Sequence, residues 1–262
     1  MNKLQEIILY KKIEVGERKK EWSIAMLEKS EHFKSKTFSL IKSLSAKNTG
    51  IIAEYKRRSP SRGVINEKST VEEVTKAYAN NGAAGLSILT DEKFFGGRLP
   101  DILKARSNKL PILRKDFIID DYQIVAAKSF AADVILLIAA VLTVKQVVSL
   151  ARTAKGLGLE TILEVHGEEE FGHINDDVDI IGVNNRDLKT METDFNTSLR
   201  LIDKIPKGKT TISESGIHDP ETLIQLRNAG YKGFLMGEKF MADEDPGKAF
   251  KQFVSELKTE QA

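Results

Sequence analysis

The residues of this sequence that could do chemistry sit where short apolar runs end. Ile51-Ile-Ala-Glu-Tyr-Lys56 closes with a carboxylate and an ammonium two residues apart, and Leu113-Arg-Lys-Asp-Phe117 sets Lys115 between Leu113 and Phe117 at spacing two. Ile162-Leu-Glu-Val165 carries Glu164 inside an otherwise apolar run, and Gly182-Val-Asn-Asn-Arg-Asp187 brings Asn184 and Arg186 onto the side of Gly182. In strands, side chains alternate faces, so Glu54 and Lys56 share the face of Ile52, Lys115 that of Leu113, and Glu164 that of Ile162. Opposite charges crowded into a low-dielectric pocket shift one another's pKa, the condition for general acid–base catalysis. Taken singly, these features also fit plainer roles. Glu54 and Lys56 can solvate each other at a strand exit, a lone lysine at a strand end is ordinarily exposed, and Asn184-Asn185 before Asp187 suits an Asx turn. Glu164, flanked by apolar residues, is the least easily explained that way.

Eight such runs recur, over residues 50–56, 85–90, 111–115, 133–138, 160–165, 179–184, 210–214 and 232–237. Their length and β-branching point to buried parallel strands. Amphipathic helix patterns lie between them. Thr70 is an N-cap with Glu73 three residues on, ahead of a stripe of Val71, Val74, Ala77 and Tyr78. Residues 143–155 carry Val144, Val147, Val148 and Ala151, and Asp219-Pro220 opens another helix. Gly82, Gly158 and Gly230 suit left-handed helix ends. Eight strands, each followed by a helix or helical turn, predict a single α/β domain, a (β/α)8 TIM barrel over residues 49–262. The N-terminal helical extension, residues 1–48, reads as one or two helices, long enough to cover one end of the barrel. An open doubly wound sheet is the alternative. Its Gly-rich turn is missing after the first strand, where the chain reads Arg57-Arg-Ser-Pro-Ser-Arg-Gly63. Enzyme barrels work at the C-terminal ends of their strands, and every charge intrusion falls at such an end. Gly216 and Gly237 fall in the loops after strands seven and eight, where this fold often binds phosphate through backbone N–H groups.

Composition narrows the chemistry. The chain of 262 residues has no cysteine, which excludes thiolate chemistry, Cys-ligated metals and a disulfide scaffold. Its net charge is +2. The first 48 residues hold 11 lysines and arginines against 6 glutamates, but one basic leader is not the concentrated face that nucleic acid demands. The charged run from Lys11 to Lys20 follows a brief apolar patch at once, without a cleavage site. The longest apolar run, Val134 to Leu142, has nine residues, against roughly 20 for a bilayer span. A cytoplasmic protein without nucleic-acid or membrane partners is expected. His32, His166, His173 and His218 are all placed in helices or loops. His166, two residues past Glu164, comes closest to the site, but no partner ligands are found, so no metal is expected.

The residues in this order resemble indole-3-glycerol-phosphate synthases over nearly the whole chain. The resemblance rests on Leu4 to Val15, with Lys12 and Glu14, on Ile52-Ala-Glu-Tyr-Lys-Arg-Arg-Ser-Pro-Ser61, Leu86-Ser-Ile-Leu-Thr-Asp-Glu-Lys-Phe-Phe-Gly96 and Leu113-Arg-Lys-Asp-Phe117. It continues through Leu163-Glu-Val165, Ile181-Gly-Val-Asn-Asn-Arg-Asp-Leu188, Ile212-Ser-Glu-Ser-Gly-Ile217 and Phe234-Leu-Met-Gly237. It implies a cofactor-free enzyme that closes the indole ring of 1-(2-carboxyphenylamino)-1-deoxyribulose 5-phosphate with loss of CO2 and water. By resemblance, Lys115 is the general acid at the ketone oxygen and Glu164 the acid–base carboxylate. Glu54 orients the lysines, and Lys56 binds anionic groups of the substrate and is a candidate second acid. Asn184 and Arg186 are polar ligands of the substrate, with Ser215 beside them; Asn184 and Ser215 are counted with the catalytic set. Ser59, Gly216 and Gly237 surround the phosphate. Phe95, Phe117 and Leu89 wall the aromatic ring, and Ser87, on the strand of Leu89, is placed among the substrate-binding residues. Glu238 is a departure, since many members carry a small residue there or at the next position. Its N–H can still serve, but its carboxylate must turn from the phosphate, with Lys239 as a compensating charge.

The implied partner is the small anthranilate-derived ribulose phosphate, and the implied state is a monomer or weak homo-oligomer. Three rivals stand beside this reading: an aldolase-like barrel using Lys115 or Lys56 as a Schiff-base nucleophile, a phosphoribosyl-anthranilate isomerase, and a catalytically dead barrel serving as a binding subunit. The second uses a cysteine base, which this chain lacks. The third predicts gaps in the polar set, and the set is filled.

Overall fold

Eight parallel strands close into a barrel in the computed structural model, which describes residues 2–46, 49–187, 190 and 192–259. They are β1 (Ile51–Tyr55), β2 (Gly85–Leu89), β3 (Ile112–Lys115), β4 (Val134–Ile138), β5 (Glu160–Val165), β6 (Ile180–Asn184), β7 (Thr210–Glu214) and β8 (Gly233–Met236). Each pairs with its neighbours in sequence, and β8 returns to β1 with Ile52 opposite Leu235. All eight apolar runs of the sequence are these strands.

Alternation sorts their side chains into two cores. Ile52, Leu113, Ile162 and Ile212 point inward and pack with Val134, Leu136, Ile180 and Leu235 in the barrel interior. Tyr55, Ile135, Leu163 and Ile181 point outward, into the layer between sheet and helices. Because the site lies at the upper end of the inward set, Glu54, Lys115, Glu164 and Glu214 follow Ile52, Leu113, Ile162 and Ile212 into the mouth.

Helices form where the sequence signals them. Thr70 and Glu73 make a reciprocal capping box at Val71–Asn80, Thr143 and Gln146 do so at Val144–Gly156, and Asp219 caps Pro220–Ala229. Gly230, at φ +122°, ends the last of these in a conformation that side chains disfavour. After β5, in contrast, the chain makes only a 3-10 turn, Glu168–His173.

Among its described residues the leader holds three helices rather than one or two: α1 (Lys3–Glu21), α2 (Ile24–Leu27) and α3 (Leu40–Ser45). They reach both ends of the barrel rather than one. At the base, Leu40 and Leu44 of α3 complete the interior core, and Glu160 at the start of β5 accepts the backbone N–H groups of Leu40 and Ile41 at 2.8 and 3.2 Å. At the mouth, α1 lays Leu4 and Ile7 along the cavity. The expected boundary at Asn48, and Leu188 at the end of its motif, lie outside the described residues. Among the described residues no helix is long and apolar enough to cross a membrane.

Candidate active site

The barrel mouth opens on a cavity of about 150 Å³. Its polar floor is built from strand ends. Glu54, at the end of β1, is buried; its Oε1 pairs with Lys56 Nζ at 2.9 Å and its Oε2 accepts from Ser87 Oγ at 3.2 Å. Burial works against its charge, but the ammonium groups of Lys56 and Lys115 hold its pKa below the ordinary glutamate value. Register explains the Ser87 contact, because Ser87 lies opposite Glu54 on β2. Ser87 is therefore not among the residues lining the cavity, as a substrate-binding residue would be; it is fully buried behind Glu54 and orients it.

Lys115 reaches from the end of β3 toward two carboxylates, Glu164 Oε2 at 3.7 Å and Glu214 Oε2 at 3.9 Å. Burial disfavours its charge, but Glu164, Glu214 and Glu54 outweigh that, raise its pKa and keep it an ammonium. The two glutamates behave oppositely. Glu164 is buried and yet held ionised, below the ordinary range, by Lys115, His166 and the Asn184 amide. Glu214 is pushed above that range by burial and by the charge of Glu164. The site thus holds one carboxylate and one carboxylic acid side by side, the pattern that separates base from acid.

Glycine makes this crowding possible. Gly182 of β6 lies between β5 and β7, and a Cβ there would sit 2.3 Å from Glu214 Oε1. At Gly237 a Cβ would come within 2.7 Å of Glu54 Cβ.

The rim divides into an apolar and a polar side. Phe95 and Phe117 stand 6.2 Å apart, centroid to centroid, and with Leu89, Leu4 and Ile7 form one wall. Opposite them are Ser59, Ser61, Arg186, Ser215, Gly216, Gly237 and Glu238. Asn184 accepts the Arg186 N–H at 3.0 Å, and Arg186 donates to Ser61 Oγ at 2.8 Å and to Glu238 at 3.2 Å. Arg62 pairs with the other oxygen of Glu238 at 2.9 Å. The Glu238 carboxylate is held at the rim by two arginines, Arg62 and Arg186. Ser215 adopts φ +67° and Gly216 φ +75°. The Ser215 strain is held by Asn185, whose amide donates to the Ser215 carbonyl at 3.0 Å.

Every residue singled out in the sequence except Ser87 lines this cavity. Glu214 was not among them, and His166 was weighed only as a metal ligand. Glu214 obeys the same alternation after Ile212 that Glu164 obeys after Ile162, so the signal was present. His166 follows β5 directly and sets Nε2 3.4 Å from Glu164 Oε1, a contact that depends on the turn beyond the strand. Among the described residues no group of three or more His, Asp or Glu is arranged to hold a metal ion.

Comparison with known proteins agrees with this geometry. Residues 4–253 match the family model of indole-3-glycerol phosphate synthase. The chain is 47% identical to the indole-3-glycerol phosphate synthase of Bacteroides thetaiotaomicron, covering 97% of this chain and 98% of that protein. It is 40% identical to that of Salinibacter ruber, covering 98% and 97%. Among solved structures, the tryptophan synthase complex of Pyrococcus furiosus superposes with a TM-score of 0.60 at 15% identity, over 81% of this chain and 99% of that one, a likeness of fold alone. With two curated relatives matched end to end and a barrel mouth that joins an ammonium to paired carboxyls, the chain belongs to the indole-3-glycerol phosphate synthase family of carboxy-lyases.

Proposed function

We propose that Lys115 is the acid and Glu164 the acid–base carboxylate of the ring closure, with Glu214 as a second proton-bearing group. Lys115 protonates the ketone oxygen as the aryl carbon attacks, and CO2 leaves from that ring carbon to restore aromaticity. The new hydroxyl then takes the proton of Glu214 and departs as water, and Glu164 removes the adjacent carbon-bound proton to give the indole. Glu54 steers the two lysines; the anthranilate ring lies on Phe95, Phe117 and Leu89; the phosphate lies among Ser59, Gly216, Gly237 and Arg186.

The observation that carries this reading is the suspension of the Lys115 ammonium between two buried carboxyls over the cavity. A group so placed donates a proton where negative charge develops on oxygen. The same surroundings argue against a Schiff base, which needs a neutral amine. The test is incubation with the carboxyphenylamino-deoxyribulose phosphate, following indole fluorescence. Lys115→Ala is expected to lose turnover by a factor of roughly 10²–10⁴ while still binding substrate. Ordinary turnover in that variant, or borohydride reduction of substrate onto Lys115, would overturn the assignment.

A further inference from the structure

Lys115 does not choose between the two carboxyls it faces. Its ammonium is 3.7 Å from Glu164 and 3.9 Å from Glu214, a difference too small to decide which of them keeps a proton. Something else must break the symmetry, and His166 touches only one of them. Its Nε2 lies 3.4 Å from Glu164 Oε1, the oxygen turned away from Lys115. Its Nδ1 lies 3.3 Å from Glu170 Oε2, and its backbone N–H donates to that same oxygen at 2.7 Å. Both side chains are largely buried, at 15% and 14% exposure, and neither lines the cavity.

We propose that His166, clamped between Glu164 and Glu170, is a positioning residue of this active site: it fixes Glu164 as the charged member of the facing pair and leaves the proton on Glu214. The groups facing Glu164 are Lys115 from β3, Glu214 from β7, the Asn184 amide from β6 and His166 itself. Those facing Glu214 are Glu164, Lys115, Glu54 and, less closely, His166. Those facing His166 are Glu164 and Glu170. Burial disfavours an imidazolium here, but the carboxylates of Glu164 and Glu170 on either side of the ring outweigh it and raise its pKa to about 10. A His166–Glu170 couple is neutral as a unit, so it sets the proton's place without adding net charge to the mouth.

The inference rests on the assignment of Glu164 as the acid–base carboxylate, and the experiment separates the two. The kcat–pH profiles of the unaltered enzyme, His166→Gln, Glu170→Gln and Glu164→Gln are measured together. Glutamine at 166 keeps an N–H toward Glu164 but carries no charge. Its loss lets Glu164 take up a proton at higher pH, so the acid limb of His166→Gln moves upward by about 1–2 pH units with KM unchanged. Glu170→Gln leaves the imidazolium uncompensated beside Glu164, so its limb moves the other way, downward, by less. A fall in kcat without movement of the limb would make His166 merely structural and overturn the proposal. If Glu164→Gln turns over normally, the Glu164 assignment fails. If it is inactive while His166→Gln keeps the unaltered profile, only the present inference fails. The unaltered protein gives a check independent of folding in the variants. In 15N spectra of its four histidines, one ring is expected to remain imidazolium above pH 8, where an ordinary histidine is neutral. Four rings all neutral by that pH would refute the proposal.

Discussion

Glu214 carries the largest consequence at the scale of single residues. Burial and the neighbouring charge of Glu164 keep it protonated where an ordinary glutamate is ionised. A buried carboxyl that keeps its proton is a candidate donor to a departing hydroxide, the role proposed for Glu214. Glu214→Gln preserves the shape and removes the transferable proton. Turnover, followed by indole fluorescence, is expected to fall by a factor of roughly 10²–10⁴, and an unchanged rate would reduce Glu214 to a hydrogen-bond donor. Stability moves the other way. A group whose folded pKa is raised contributes stability that is complete below its unfolded value and lost as pH rises through the folded one. Glutamine cannot ionise, so thermal denaturation at alkaline pH should find the variant more stable than the parent, with the difference vanishing toward acid pH. That exchange of stability for function is expected at an active site.

At the scale of elements, the strands do the positioning and the glycines decide how closely they can do it. Gly182 is the clearest case. It opens the one place on β6 over which the Glu214 side chain folds back toward Glu164. An alanine there would force the carboxyl aside, since a 2.3 Å approach to Oε1 cannot stand. Gly182→Ala is expected to cost about 1–3 kcal/mol in urea unfolding and to lower kcat by more than that loss of stability accounts for. A variant with reduced stability and full activity would show that Glu214 needs no such room. Elements were also the most legible part of the sequence. The eight strands declared themselves by β-branched runs, and the capped helices by Thr70 with Glu73, Asp219 with Pro220, and their glycine stops. Inward placement of Glu54, Lys115 and Glu164 followed from a period of two. What the pattern did not give was anything set by the path of a turn. The 3-10 turn after β5 has no apolar stripe to announce it, so the sequence shows His166 near the site but not that its ring turns back onto Glu164. Ser87 is placed among the substrate-binding residues by resemblance, and its contact with Glu54 is set by register, which the pattern of a single strand does not give.

At the scale of the whole molecule, the question is what joins the leader to the barrel. The base is sealed by apolar contact through Leu40 and Leu44, but the mouth is tied by charge. Lys11 of α1 is fully buried, 2.8 Å from both Asp91 and Asp116 and 2.7 Å from Glu14. Each carboxylate belongs to a different part of the site. Asp91 caps the turn that carries Phe95, accepting the Phe94 N–H at 2.8 Å. Asp116 is the residue after Lys115 and is also held by Arg114 at 2.8 Å. Nothing in the sequence marks Lys11 among the surrounding lysines, because its burial comes from groups 80 and more residues away. Lys11→Met keeps most of the length and the apolar stem of the side chain but takes the ammonium from two buried carboxylates, leaving Asp91 without an ion pair and Asp116 with Arg114 alone. It is expected to destabilise the fold by about 3–5 kcal/mol, read from urea unfolding near neutral pH. The loss should shrink as pH falls. Burial opposes the Asp116 charge, but Lys11 and Arg114 hold its pKa well below the usual aspartate range, so this stability is present above the unfolded value and lost on acidification. Because α1 also carries Leu4 and Ile7 into the cavity wall, loosening it should raise KM for the substrate more than it lowers kcat. A Lys11→Met enzyme with unaltered stability and KM would mean that the leader is docked by its apolar contacts alone, and that the buried cation does not couple it to the site.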